Sequence, residues 1–165
     1  MRFPAEAYAV KRSVGRCIGF SALSFGGWLF YWLYTYRRLL DGELGRGRDD
    51  AVFHTVGYLV PVLNVFVVYW LWRDLSELRV RVGLPDFPVA GYTVGAIFLA
   101  PVFFCLVSRL MDEYWDVRLQ GWAHEAPVTT IEKVIVGIGV AIWALWLLLF
   151  LLLIALAIGS GAQSG

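Results

Sequence analysis

The chain has 165 residues, of which 59% are hydrophobic and 16% charged, and its formal net charge is +1. That balance leaves too little polar surface for a water-soluble domain of this length. It also supplies no basic field to recruit nucleic acid and no general polybasic attraction to lipid headgroups.

The charges fall in short islands. Between them lie four charge-free stretches, 17–36, 51–72, 87–108 and 134–158. Each is about 20–25 residues long, the length one membrane-spanning helix requires. Four buried helices of a soluble bundle would need polar faces that these runs lack. The predicted fold is all-α: an integral membrane helical bundle of four transmembrane helices, some extended beyond the bilayer as amphipathic segments. The helices are expected at about 13–40, 51–82, 89–119 and 130–158. They form one domain over 13–158, between an N-terminal segment (1–12) and a disordered tail (159–165).

Pro4 with Ala5, Glu6 and Ala7 fits the start of an interfacial helix or a loose terminus. The first hydrophobic run is too long for a signal-peptide core of roughly 7–15 residues, and it ends at Arg37-Arg38 instead of a small-residue cleavage site. It reads as a retained helix. Gly15 and Gly19 make a GxxxG pair suited to close helix approach, and Gly26-Gly27 marks a bend. Trp28, Tyr31, Trp32 and Tyr34 then form an aromatic girdle, expected at the headgroup boundary.

The Gly-rich polar segment 41–50 predicts a hairpin connection, with Asp49 or Asp50 capping the next helix. That helix holds Pro61, expected to kink it, and Asn64, expected to donate to a neighbouring helix or to the freed carbonyl. Its exit repeats the aromatic pattern at Tyr69, Trp70 and Trp72. Two exits on opposite sides would be an inverted repeat of the kind small transporters use. Gly83, Pro85 and Pro88 stop the helix.

The third helix carries a second GxxxG pair, Gly91 and Gly95, and an expected kink at Pro101. It leaves as a charged extension with Asp112 and Asp116 one turn apart on one face, and stops at Gly121 and Pro127. Thr129 and Glu132 fit a capping box ahead of the fourth helix, in which Gly137 and Ala141 form a small-xxx-small pair. Trp143 and Trp146 lie deeper than a boundary girdle and are expected to pack on neighbouring helices.

The run from Ser24 to Tyr34 (SFGGWLFYWLY), followed by Arg37-Arg38-Leu39-Leu40, resembles a family of small prokaryotic membrane proteins, the one catalogued as domain of unknown function 4234. Pro61-Val62-Leu63-Asn64 and Tyr69-Trp70-Leu71-Trp72 look like that family's second helix, so the resemblance covers roughly residues 13 to 80. It implies a multi-spanning membrane protein and no particular activity.

His54 is the one ionisable side chain within a charge-free run, which makes it a candidate for proton or metal handling, although its place near Asp50 equally suits a wet structural histidine. Asp112, Glu113, Asp116 and Glu125, near His124, form an acidic cluster open to a divalent-cation or solvated-surface reading. Cys17 and Cys105 read as inert buried thiols. No metal-protease, nucleophile-elbow, phosphate-loop or dinucleotide motif occurs. No cofactor and no enzymatic activity are predicted. The expected role is structural or accessory, through helix–helix association. A small oligomeric transporter or channel is the alternative, and a membrane enzyme ranks third. Expected partners are the lipid bilayer and further copies or other membrane proteins, in a prokaryotic plasma membrane. Four spans put both termini on one side, taken as cytoplasmic, although the Lys and Arg tally then divides evenly between the two sides.

Overall fold

A computed structural model describes residues 9–46 and 50–161. The described residues are all-α apart from one minimal sheet: β1 (Ala9–Lys11) pairs in parallel with β2 (His124–Glu125). Seven helices follow in chain order among the described residues: α1 (Val14–Leu23), α2 (Gly27–Glu43), α3 (Ala51–Gly57), α4 (Pro61–Arg81), α5 (Val89–Phe98), α6 (Ala100–Arg118) and α7 (Thr130–Gly161).

The first three expected helices are therefore not continuous. Each breaks near the middle of its charge-free stretch, and the chain folds back on itself. At the first break Phe25 (φ 51°) and Gly26 (φ 80°) take left-handed backbone, which no helix can propagate. Ser24 Oγ then accepts from Trp28 N at 2.9 Å, satisfying a first-turn N–H of α2, whose N-cap is Gly26. At the second, Val60 is extended and Pro61 opens α4. At the third, Leu99 (φ −130°, ψ 44°) leaves the helical region and Pro101 lies in the first turn of α6. Proline has no N–H to donate, so it begins a helix more readily than it continues one. Pro61 and Pro101 therefore start helices; the expected kinks inside longer ones are corrected.

Contacts across each break establish the reversal. His54 and Trp70 would lie about 24 Å apart along one straight helix, yet their rings are 5.4 Å apart. Phe20 meets Trp28 edge-on at 5.8 Å, and Arg12 lies over the Tyr36 ring at 5.7 Å. Tyr92 reaches Phe103 at 5.9 Å, and the Phe103 ring fills the space a side chain on Gly95 would need. The result is three helical hairpins, α1–α2, α3–α4 and α5–α6. Tyr58, at the second turn, touches both Phe30 and Phe104, so the three turns share one end of the molecule.

The core lies between the hairpins. Trp28, Trp32, Trp72, Tyr36, Leu40, Leu75, Met111 and Tyr114 are almost wholly buried there. This corrects the reading of Trp28, Trp32 and Trp72 as boundary aromatics. Tyr69 is exposed, and Tyr31, Tyr34 and Trp70 are half-buried. The two Tyr-Trp-Leu motifs sit on α2 and α4. These helices run in the same direction, with Arg37 of one on Asp74 of the other, so the repeat is direct and not inverted.

Among the described residues only α7 contains a segment, Thr130–Ala157, that is both long and apolar enough to cross a bilayer, and none of its most apolar window is buried. The capping box is present as expected: Thr129 N donates to Glu132 Oε2 (2.9 Å) and Glu132 N to Thr129 Oγ1 (3.2 Å). The helix continues through Gly161, so 159–161 are helical where a disordered tail was expected, and residues 162–165 lie outside the described residues. So do residues 1–8, with the expected interfacial helix, and Asp49; Asp50 occupies the cap position of α3 without a capping bond from its side chain.

Candidate functional site

Polar chemistry collects at the base, the end of the hairpins opposite their turns. Asp74, on α4 and fully buried, accepts from Arg37 of α2 (2.5 Å), from Arg46 (2.7 Å) and from its neighbour Arg73 (3.1 Å). Burial pushes the Asp74 carboxyl up, but the hydrogen bond from Arg46 and the charge of Arg37 outweigh it and hold it below the usual range. Arg37 also holds Asp41 at 3.0 Å. This node joins the first two hairpins. Arg79 joins the second to the third through Glu113 (2.9 Å) and the Leu110 carbonyl (2.9 Å). Trp32 Nε1 donates to Ser108 Oγ (3.0 Å), and Tyr114 donates to Glu43 (2.6 Å), joining the third to the first.

A separate node joins the first hairpin to α7. Glu132 has 0% exposure, and Arg16 donates to it at 2.5 Å. Arg16 also donates to the Ala126 and Pro127 carbonyls, and Trp28 Nε1 reaches the other Glu132 oxygen at 3.2 Å.

The candidate residues do not converge on one site. His54 is buried, with Nδ1 2.8 Å from the Asp50 carbonyl and its ring against Trp70. It borders a surface cleft of about 470 Å³, also lined by Arg37, Arg46, Asp50, Phe53, Trp70 and Arg73. Among the described residues, the cations of that cleft are each paired with a carboxylate, Asp41, Asp74 or Glu77. Asn64 lies one turn into α4, half-buried, and its side chain has no hydrogen bond among the described residues. Asp116 pairs with Lys11 (2.6 Å), Glu125 accepts from Ser13 (2.9 Å), and Asp112 accepts from Arg12 N (3.3 Å). Burial raises the Asp112 carboxyl to about 6. Among the described residues no cluster of three or more His, Cys, Asp or Glu side chains could hold a metal ion.

The expected small-residue contacts are mostly open. A side chain at Gly15, Gly19 or Gly137 would meet nothing, one at Gly91 would touch only Pro88, and Ala141 is exposed. The close approach is at Gly139 instead: a Cβ there would collide with the Leu23 carbonyl and Ser24 Cα. Beside it, Trp143 stacks on Phe25 at 4.2 Å and donates from Nε1 to the Ala22 carbonyl (3.1 Å). Trp143 thus packs on a neighbour, as its depth suggested, whereas Trp146, expected to do the same, is exposed. The signal available in the sequence was Gly139 one turn before Trp143, opposite a glycine-containing turn.

No protein-family model, no curated protein and no solved structure matches this chain.

Proposed function

We propose that this is a structural or accessory membrane protein in which α7 alone crosses the bilayer, while the three hairpins enter from one face and turn back at mid-depth. One observation carries the reading. Each hairpin turn is apolar and exposed, with Val62 at 70% and Phe98 at 79%, whereas every Lys and Arg among the described residues lies toward the opposite end. An exposed apolar end beside a charged end is the pattern of a body standing in a membrane.

The arm lengths agree. The apolar part of each arm is about 10 residues, or roughly 15 Å, half of a hydrocarbon core about 30 Å thick. The reading also breaks the tie in the charge tally: all the described basic residues face one side, which the positive-inside rule makes cytoplasmic. The N-terminal strand then lies on the cytoplasmic side and the end of α7 on the other. The resemblance of residues 13–80 to a family of small prokaryotic membrane proteins supports a prokaryotic plasma membrane as the location. Partners are lipid and further membrane proteins or copies, which the exposed apolar residues of α7 from Leu145 to Leu156 can meet. Transport and catalysis rank lower, because the basic and acidic side chains of the base hold one another and Asn64 is the one amide near the turns.

Topology labelling tests this. Gly42→Cys, Pro85→Cys and Trp122→Cys, each in a Cys17→Ser/Cys105→Ser background, are treated with an impermeant maleimide in spheroplasts and in inverted vesicles. Half-depth hairpins put all three on one side. Four full spans put position 85 opposite the other two, and that result rules the proposal out.

A further inference from the structure

We infer that this protein favours, and at high density produces, membrane curvature in which the leaflet around its charged base is convex; the inference rests on the half-depth reading above.

The helix α7 serves as a ruler. Lys133 marks where its charge-free stretch begins, and Glu132 beside it is held by Arg16 at the base. The first hairpin turn meets α7 at Gly139 and Trp143, through Leu23, Ser24 and Phe25. That is six to ten residues above Lys133, or about 9–15 Å at ~1.5 Å per residue. The turn thus reaches at most about the middle of a core roughly 30 Å thick. The apolar side chains of α7 from Leu145 to Leu156 are exposed, about 20 Å of helix above Trp143 that no hairpin arm among the described residues covers.

The two leaflets therefore receive very unequal cross-sections. On the base side stand six hairpin arms and α7; on the far side stands α7 alone. With a helix diameter of about 10 Å, each helix occupies roughly 80 Å², so the base-side leaflet takes in about 500 Å² more than the other. The arms are not loosely spread: Asp74, Glu132, Arg79 and the Trp32–Ser108 bond tie them into one packed body. A rigid body inserted into one leaflet expands that leaflet relative to its partner, and the bilayer relaxes by bending toward convexity on the expanded side.

The test uses the full chain reconstituted in vesicles of phosphatidylcholine and phosphatidylglycerol over a range of diameters. Protein per lipid area is counted on single vesicles, and orientation is read by protease access to the base. Molecules with the base outward are expected to be enriched severalfold on the smallest vesicles, and those with the base inward depleted. Density independent of diameter overturns the inference. On the same samples, a spin label on Phe25→Cys in the cysteine-free background reports depth. A label at mid-depth with no diameter dependence defeats the curvature inference and leaves the half-depth reading standing. A label at the far surface defeats both.

Discussion

The hairpin body and α7 are built from residues of similar hydrophobicity, yet they solve opposite problems. The body turns its largest aromatic side chains inward, burying Trp28 against Phe20 of α1, Trp32 against Phe104 of α6 and Trp72 against Tyr92 and Phe103 of the third hairpin, and gathers its ions at one end. The helix α7 turns almost nothing inward except Glu132 and Gly139 and leaves its leucines bare. Its two anchoring points differ in kind: one is a buried ion pair, the other a backbone-on-backbone contact. The lesson is that apolar content does not distinguish a helix that packs from one that meets lipid. What distinguishes them is whether small and polar residues interrupt the run at its centre.

The comparison can be broken most strongly at the ion pair. Arg16→Ala leaves Glu132 buried without its cation, and a loss of about 3–5 kcal/mol is expected. The measurement is thermal unfolding in detergent, together with protease release of α7 from the hairpins. Unchanged melting and intact docking would show that the ion pair does not anchor α7. Gly139→Leu attacks the second point. It sets a side chain against the Leu23–Ser24 backbone and is expected to cost about 1–3 kcal/mol, whereas Gly137→Leu, one turn-face away and open, is expected to be neutral. Equal effects at the two glycines would contradict the packing.

Within the body, Ser108→Ala removes the acceptor for the buried Trp32 Nε1 and is expected to cost about 1–3 kcal/mol without freeing α7. Asp112 gives the smallest expected effect, with a sign that depends on pH. Its carboxyl is raised from 3.8 to about 6 in the folded chain, so between those values the folded state holds a proton that the unfolded state has released. Stability therefore falls as pH rises through this window, and the penalty is complete above it. Asp112→Asn is expected to gain on the order of 1 kcal/mol at neutral pH, after discounting for partial solvent access, and nothing below the window. Melting temperature against pH for both proteins is the check. A parallel pair of curves would refute the assignment.

Much of the fold was legible in the chain. The capping box at Thr129 and Glu132, the stops at Gly83 and Gly121, and the depth of Trp143 all follow from local chemistry. What was not legible is where a stretch of about 20 apolar residues goes, because one full span and two half-spans need the same length. The breaks at Phe25–Gly26, Val60–Pro61 and Leu99 fall near the centres of their stretches. Read singly, each is a bend or kink; their shared central placement is the signal of reversal. The candidate site was less legible, because Asp112, Asp116 and Glu113 find their partners on distant elements, at Arg12, Lys11 and Arg79. Sequence spacing holds no record of those pairings.

The bond from Trp143 to the Ala22 carbonyl also bears on the order of assembly. The two residues are separated by 121 positions, so the first hairpin leaves the ribosome with its turn unfinished. Chains are made from the N-terminus at about 5–20 residues per second, and the rest of the body emerges before α7 does. Until then the Ala22 carbonyl lacks the indole, and the neighbouring Leu23 carbonyl lacks Gly139 against it. The first hairpin, made before the other two, is thus the last of the three to be closed, and α7 acts as its keystone.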